Sequence, residues 1–294
     1  MKKLVIFTPA YNRANLLDRL YNSLVKQTNK DFTWFIVDDG SQDNTEEVVN
    51  SFIKENKIDI VYKKKENGGK HTAINYGLSF LTNEIFAIVD SDDYLTEDAI
   101  ETIFKDWKDI EDREDVCGIA YLRSYIDGKN IGQFYTEDEI IENFITQRYN
   151  KGVAGDKFEV VKADVLKKFP FPEFQGERFL SEAVVWCKMS GEYKFKFLNK
   201  GIYLCEYQEG GLTANVHKAL FNNPKGATEC YKVLSTKQFS FKNRIKFTML
   251  YSIHSWRAYG LKQTLKNANS KFLYLLLLPF SWVLYLKRKR KANK

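Results

Sequence analysis

The stretch Glu84-Ile85-Phe86-Ala87-Ile88-Val89-Asp90-Ser91-Asp92-Asp93 joins a short apolar run to an acidic cluster. An uninterrupted run of this length, rich in β-branched and aromatic residues, reads as a strand buried on both faces. Three carboxylates at its end repel one another and are costly unless a positive group sits among them. In an open α/β sheet, ligands bind at the carboxyl ends of the strands. Hard oxygen ligands with free coordination positions suit Mg²⁺ or Mn²⁺, which bind through one or two carboxylates and the phosphates of a substrate. The competing reading is a solvated acidic turn before the next helix, expected over Thr96 to Trp107.

Two earlier strand ends have the same character. Leu4-Val5-Ile6-Phe7 runs into Thr8-Pro9-Ala10-Tyr11-Asn12-Arg13, and Phe32-Thr33-Trp34-Phe35-Ile36-Val37 runs into Asp38-Asp39-Gly40-Ser41. Between the second of these and Glu84 lies Glu66-Asn67-Gly68-Gly69-Lys70-His71, followed by a helix carrying Ala73, Asn75 and Gly77. Polar strand ends in series could hold a base, a ribose and a diphosphate across one crevice. Strands and helices alternate through Trp107, which argues for a largely parallel sheet with helices on both faces. A strand over Val116 to Leu122, an Asp127-Gly128 hairpin signal, a helix from about Thr136 to Gln147 and a strand near Phe158 to Val161 follow. Helices at Ala163 to Lys168 and Phe179 to Ser190, then strands at Tyr193–Leu198 and Ile202–Tyr207, complete the expected order.

These four motifs, in this order over the first 95 residues, resemble a family 2 glycosyltransferase of the GT-A fold. The resemblance continues more weakly to about residue 215. It implies an α/β, Rossmann-like, mostly parallel sheet flanked by helices, a nucleotide-sugar donor (usually a UDP-sugar), Mn²⁺ or Mg²⁺, and inversion at the anomeric carbon. By the same resemblance Asp39 would accept a hydrogen bond from uracil and Asp90 would bind the ribose hydroxyls. Asp92 would hold the metal, with Asp93 a second ligand or support. Thr8, Pro9, Tyr11, Arg13, Asn67 and Ser91 would shape the nucleotide-sugar pocket. Lys70 and His71 would neutralise the diphosphate, whereas Lys63-Lys64-Lys65 reads as a solvated run.

An inverting transfer also needs a general base for the acceptor hydroxyl. Gly176-Glu177-Arg178-Phe179-Leu180-Ser181-Glu182 matches the region where the family carries a Glu-Asp pair at a helix start, here changed to Ser181-Glu182. Glu182 is the expected base and Glu177 its runner-up; either could equally complement a helix dipole. Glu209-Gly210-Gly211 through Lys218 reads as a glycine-hinged loop on which His217 would add a metal ligand and Lys218 a diphosphate contact. The Gln-x-x-Arg-Trp signature of processive synthases is absent after Trp186, so one sugar per encounter is expected. The acceptor expected of such a transferase is a glycan, typically lipid-linked, in capsule, exopolysaccharide or cell-wall polymer synthesis.

Composition frames these expectations. The 294 residues carry 45 Lys+Arg against 38 Asp+Glu. Glu229 is the last acid, and 15 basic residues follow it, leaving 30 basic against 38 acidic groups in residues 1–229. The split predicts a catalytic domain over 1–229 (a nucleotide-sugar half, 1–107, and an acceptor-side half, 108–229) and a basic helical appendage over 230–294 for an anionic membrane surface. The 15 uncharged residues from Phe272 to Leu286 would span ~22 Å as a helix at ~1.5 Å per residue, short of the ~30 Å hydrocarbon core. Phe241, Ile245, Leu250, Ile253, Trp256 and Leu261 fall at roughly helical spacing beside basic residues, as in interfacial helices; packing on the catalytic domain or on a second subunit is the alternative. Met1-Lys2-Lys3 leads straight into a strand, so no signal peptide is expected, and the protein is placed in the cytoplasm on the inner face of the plasma membrane. The scattered Cys117, Cys187, Cys205 and Cys230 read as reduced thiols. Nothing resembles a dinucleotide fingerprint or a Walker loop, and a Leu-rich basic arm is wrong for a nucleic-acid groove. The competing functions are a nucleotidyltransferase and an inactive nucleotide-sugar-binding membrane scaffold.

Overall fold

A computed structural model describes residues 3–206 and 212–292. In chain order the elements are β1 (Leu4–Ala10), α1 (Leu17–Val25), β2 (Phe32–Asp38), α2 (Thr45–Glu55), β3 (Asp59–Lys64), α3 (Lys70–Leu78), β4 (Ile85–Ile88), β5 (Tyr94–Leu95), α4 (Ala99–Trp107), β6 (Val116–Tyr125) and β7 (Glu139–Glu142). A π-helical turn at Thr146–Asn150 precedes β8 (Lys157–Lys162), α5 (Ala163–Leu166), α6 (Ala183–Met189) and β9 (Lys194–Cys205). Four helices follow: α7 (Leu212–Asn222), α8 (Pro224–Leu234), α9 (Phe241–Asn267) and α10 (Lys271–Ala292). The chain forms two compact units: 1–143, 153–170 and 192–207 make the first, and 144–152, 171–191 and 208–294 the second.

In the first unit the described strands form one sheet in the order β3-β2-β1-β4-β8-β6-β9-β5, with β7 also paired to β9. The β3-β2-β1-β4 half is parallel. β8 enters antiparallel between β4 and β6, and β9 runs parallel to β6. β2 is buried along its whole length, as a strand covered by helices on both faces must be. α1 presents Leu17, Leu20, Tyr21 and Leu24 to this core, and Tyr21 stacks on Phe52 of α2 with ring centroids 4.1 Å apart. α3 approaches β1 so closely that a Cβ on Gly77 would lie 2.2 Å from the Phe7 ring. At its other end, Lys70 at the start of α3 pairs with Asp90 after β4.

The region after β6 departs from expectation. The predicted helix over Thr136 to Gln147 is instead β7 and the π-helical turn. The acids and isoleucines of Glu139–Glu142 fit the open edge of β9, where Glu139 pairs with the buried Lys196 at 2.8 Å. Tertiary pairing here overrides helix propensity. The two strands predicted from Tyr193 to Tyr207 are one long strand, whose register against β6 shifts in mid-course.

In the second unit α6 and α9 pack on α8, and α10 packs on α9. α9 breaks at Gly260 (φ 77°, ψ 171°), a conformation open to glycine. The halves are tied by the Tyr251 hydroxyl donating to the Thr264 carbonyl at 3.1 Å. Of the apolar residues expected at an interface, Leu250 and Ile253 are buried, Ile245 and Trp256 are half-buried, and Phe241 and Leu261 are exposed. Residues 212–218 of the predicted hinged loop belong to α7, while its glycines fall in 207–211, outside the described residues. Val216, Ala219 and Leu220 recur at helical spacing, a local pattern that a loop reading overlooks. No described helix is long and apolar enough to cross a membrane. All four cysteines are free thiols.

Candidate active site

The carboxyl ends of β1, β2 and β4 are stitched together by their own polar residues. Asn12, at φ 53°, donates its N–H to Ser41 Oγ at 2.9 Å and accepts from the Gln42 N–H at 2.9 Å. Arg13 donates its N–H to Thr45 Oγ1 at 2.9 Å and its Nε–H to Ser91 Oγ at 3.1 Å. Arg13 and Ser91, read separately from the sequence, are thus one contact. Thr8 is buried and its hydroxyl accepts from the Trp34 indole at 3.0 Å, while Tyr11 is exposed.

Asp38 is wholly buried and accepts from the Tyr62 hydroxyl and the Ser41 N–H, both at 2.7 Å. Burial, then the hydrogen bond to Asp38, push the Tyr62 hydroxyl well above its usual range. Asp39 is the organiser of the following loop. Its carboxylate accepts from Lys65 Nζ (2.9 Å), the Gly68 N–H (3.0 Å), the Gly69 N–H (2.6 Å) and Asn67 Nδ2 (3.2 Å). Four donors fill the acceptor capacity of one carboxylate, so a base bound to Asp39 would have to replace one of them. Lys65 is no part of a solvated run, since it also donates to Thr72 Oγ1 at 2.9 Å.

The acidic cluster after β4 is mostly compensated. Asp90 pairs with Lys70 at the start of α3 and, at 3.5 Å, with Arg123 of β6. Burial alone would raise the Asp90 carboxyl, but Lys70 and Arg123 outweigh it and hold the group at about 2. Asp93 accepts from the Tyr203 hydroxyl at 2.7 Å and lies 3.7 Å from Arg123. Burial and then the neighbouring Asp90 charge push it up to about 6, against the Tyr203 and Arg123 contacts. Tyr203 of β9 also accepts from the Asp90 N–H at 3.0 Å, and Arg123 lies 4.2 Å over its ring. Arg123 and Tyr203 carried no motif in the sequence; only the sheet order brings β6 and β9 to this point. His71 is buried on α3 beside Lys70.

Asp92 differs from its neighbours. Its carbonyl accepts from Arg19, but among the described residues its half-buried carboxylate takes no hydrogen bond and no ion pair. A hard oxygen donor left over beside compensated carboxylates fits a divalent cation that completes its shell with substrate phosphates. No group of three or more His, Cys, Asp or Glu side chains gathers to hold a metal among the described residues. His217 is an exposed residue of α7 in the second unit.

The second unit carries both candidate bases. Glu177 accepts from the N–H groups of Lys225 and Gly226, both at 2.8 Å. It caps the start of α8, where unpaired N–H groups favour an anion. Glu182 is half-buried at the first turn of α6, its carbonyl accepting from the Val185 N–H at 2.9 Å.

Residues 5–169 match the family model described as glycosyl transferase family 2. The chain is 28% identical over 219 residues to glycosyltransferase GlyG of Streptococcus pneumoniae, covering 70% of this chain and 71% of GlyG. It spans 31% of the length of GlyA from the same organism, at 26% identity. A β-1,3-glucosyltransferase of Campylobacter jejuni, named for GalNAc(5)-diNAcBac-PP-undecaprenol, is 25% identical over 94% of this chain and 87% of its own. The fold resembles Staphylococcus aureus TarS 1–349 in complex with UDP-GlcNAc (TM-score 0.67, 18% identity, 99% of this chain, 90% of that one). It also resembles a Pyrobaculum calidifontis mannosyltransferase in complex with GDP-Man and Mn²⁺ (TM-score 0.58, 16% identity, 99% and 83%). With the family model matched over more than half its length and the motifs gathered at the strand ends, the chain belongs to glycosyl transferase family 2.

Proposed function

We propose that this glycosyltransferase moves one sugar, with inversion, from a UDP-sugar to a lipid-linked glycan acceptor at an anionic membrane surface. The observation that carries the reading is Asp92, whose carboxylate is left without a hydrogen bond or ion pair from the described residues while Asp38, Asp39, Asp90 and Asp93 are all engaged. The solved neighbours described with UDP-GlcNAc and with Mn²⁺, and the relative named for an undecaprenol-linked substrate, support donor, metal and acceptor class.

In this reading the polar strand ends receive the nucleotide, with Asp90 aligning the ribose and Asp92, backed by Asp93, holding Mn²⁺ or Mg²⁺. Bound there, the cation would neutralise charge growing on the departing diphosphate. Lys70 and Arg123 keep Asp90 ionised, so it can accept hydrogen bonds from the ribose hydroxyls. Glu182 takes the proton from the acceptor hydroxyl, whose oxygen attacks the anomeric carbon opposite the leaving group. Glu177 suits this task less, because both its carboxylate oxygens are held by the start of α8. Residues 1–229 act as the transferase and 230–294 as the membrane-associated appendage.

The test is turnover of a panel of nucleotide-sugars with and without Mn²⁺ or Mg²⁺, in the native protein and in Asp92→Ala. Metal stabilisation is worth several kcal/mol, so the substitution should slow turnover by roughly 10³-fold at ~1.4 kcal/mol per tenfold, with thermal stability little changed. Full activity in excess chelator, or in Asp92→Ala, overturns the metal role.

A further inference from the structure

α10 is apolar on both sides. Leu273, Tyr274, Leu277 and Ser281 are buried in the second unit. The opposite face carries Phe272 (78% exposed), Leu275, Leu276, Phe280 (63% exposed), Val283 and Leu286, with Pro279 among them. At 3.6 residues per turn these positions share one half of the helix, and no charge interrupts the stretch. A contiguous patch of this kind marks an interaction surface.

Charge selects the occupant. Lys262, Lys266 and Lys271 precede the strip, and Lys287 to Lys291 is basic at every position. No acidic residue follows Glu229. An apolar strip with basic groups at both ends matches acyl chains bordered by anionic headgroups.

We propose that the Phe272–Leu276–Phe280–Val283 face of α10 inserts, lying in the plane of the membrane, into the headgroup–acyl boundary of an anionic bilayer. This rests on the membrane-surface reading above and names the side chains that enter the lipid. Pro279 suits the role, since a helix lying in an interface need not carry an unbroken hydrogen-bond ladder across hydrocarbon.

The experiment compares full-length protein with the quadruple variant Phe272→Ser, Leu276→Ser, Phe280→Ser and Val283→Ser by sedimentation with phosphatidylcholine vesicles, with and without phosphatidylglycerol. Circular dichroism and donor hydrolysis in lipid-free solution verify that the variant folds and that transferase chemistry is untouched. The single Phe280→Ser variant provides a milder second measurement. The inference expects binding that needs phosphatidylglycerol, falls at least tenfold in the quadruple variant and falls less in Phe280→Ser. Equal binding by native and quadruple proteins overturns the insertion face while leaving the membrane-surface reading intact. No binding by the native protein overturns both. A lipid-free dimer that the quadruple variant abolishes, with vesicle binding unchanged, assigns the face to a second copy and overturns the proposal.

Discussion

The strand ends of the first unit and the outer face of α10 break the oil-inside, charge-outside rule in opposite directions. The first draws Asp38, Asp39, Asp93 and Arg123 inward; the second leaves Phe272 and Phe280 outside. At the strand ends nearly every exception is compensated within the unit by Tyr62, Lys65, Lys70, Tyr203 or a backbone N–H. Along α10 the described residues offer no compensation. Burying a charge without a partner costs several kcal/mol, whereas exposing an apolar side chain forgoes about 1.5–3 kcal/mol. Folding therefore tolerates many exposed apolar groups and few unpaired charges. The exceptions left uncompensated, the Asp92 carboxylate and the Phe272 ring, are the places where the proposed cation and bilayer would supply what the chain does not.

The largest effect that would sharpen this contrast separates the two acids of the second unit. Glu182→Gln keeps its shape but cannot take a proton, so sugar transfer should fall roughly 10²–10⁴-fold, with donor affinity unchanged by titration calorimetry. Glu177→Ala should instead cost about 1 kcal/mol of stability, the usual value of a lost cap, and leave transfer within a few fold. The reverse pattern in steady-state kinetics would exchange their roles.

Arg123→Met tests whether the strand-end charges are truly compensated. It removes the guanidinium between Asp90 and Asp93. Losing one partner of a buried pair costs about 3–5 kcal/mol, and the lower end is expected because Lys70 still faces Asp90. Denaturant unfolding that shifts by less than 1 kcal/mol would show that the pairing contributes little. Asp39→Asn, which sets an amide against the Gly68 and Gly69 N–H groups, should cost about 1–3 kcal/mol and weaken donor binding by loosening the loop before α3.

The smallest effect concerns acid. His254 is buried, stacks on Tyr231 at 5.4 Å, and has no hydrogen-bond partner for either ring nitrogen among the described residues. Burial, then Arg288, Arg257 and His217, lower it to about 3. Because the folded value lies below that of the unfolded chain, the unfolded state binds the extra proton. The stabilisation is complete above about pH 6.5 and is lost as pH falls from there toward 3. His254→Phe should therefore narrow the difference in melting temperature between pH 7 and pH 5, and an unchanged difference would place the acid sensitivity elsewhere.

Much of the candidate site was legible because its residues stand in short motifs at strand ends. Period, run length and turn chemistry located β1, β2 and β4, and the same motifs supplied Arg13, Asp39, Asn67, Lys70 and Asp90. These signals are local, and strand termination next to polar residues survives in the linear chain. Lys65 was misjudged because three consecutive lysines look alike until a buried carboxylate selects one. Arg123 and Tyr203 were invisible because nothing within β6 or β9 states which strand lies beside them.

By itself the sequence determined the alternation of strands and helices, the acidic strand ends and the charge split after Glu229, since each follows from neighbouring residues. Tertiary structure alone decided that Glu139–Glu142 is an edge strand, that Glu177 is spent on capping α8, and that Asp92 stands apart from its paired neighbours. It also decided which half of α10 faces outward. The reason is the same in each case. Whether a polar group is satisfied, or an apolar one covered, depends on atoms brought from distant parts of the chain.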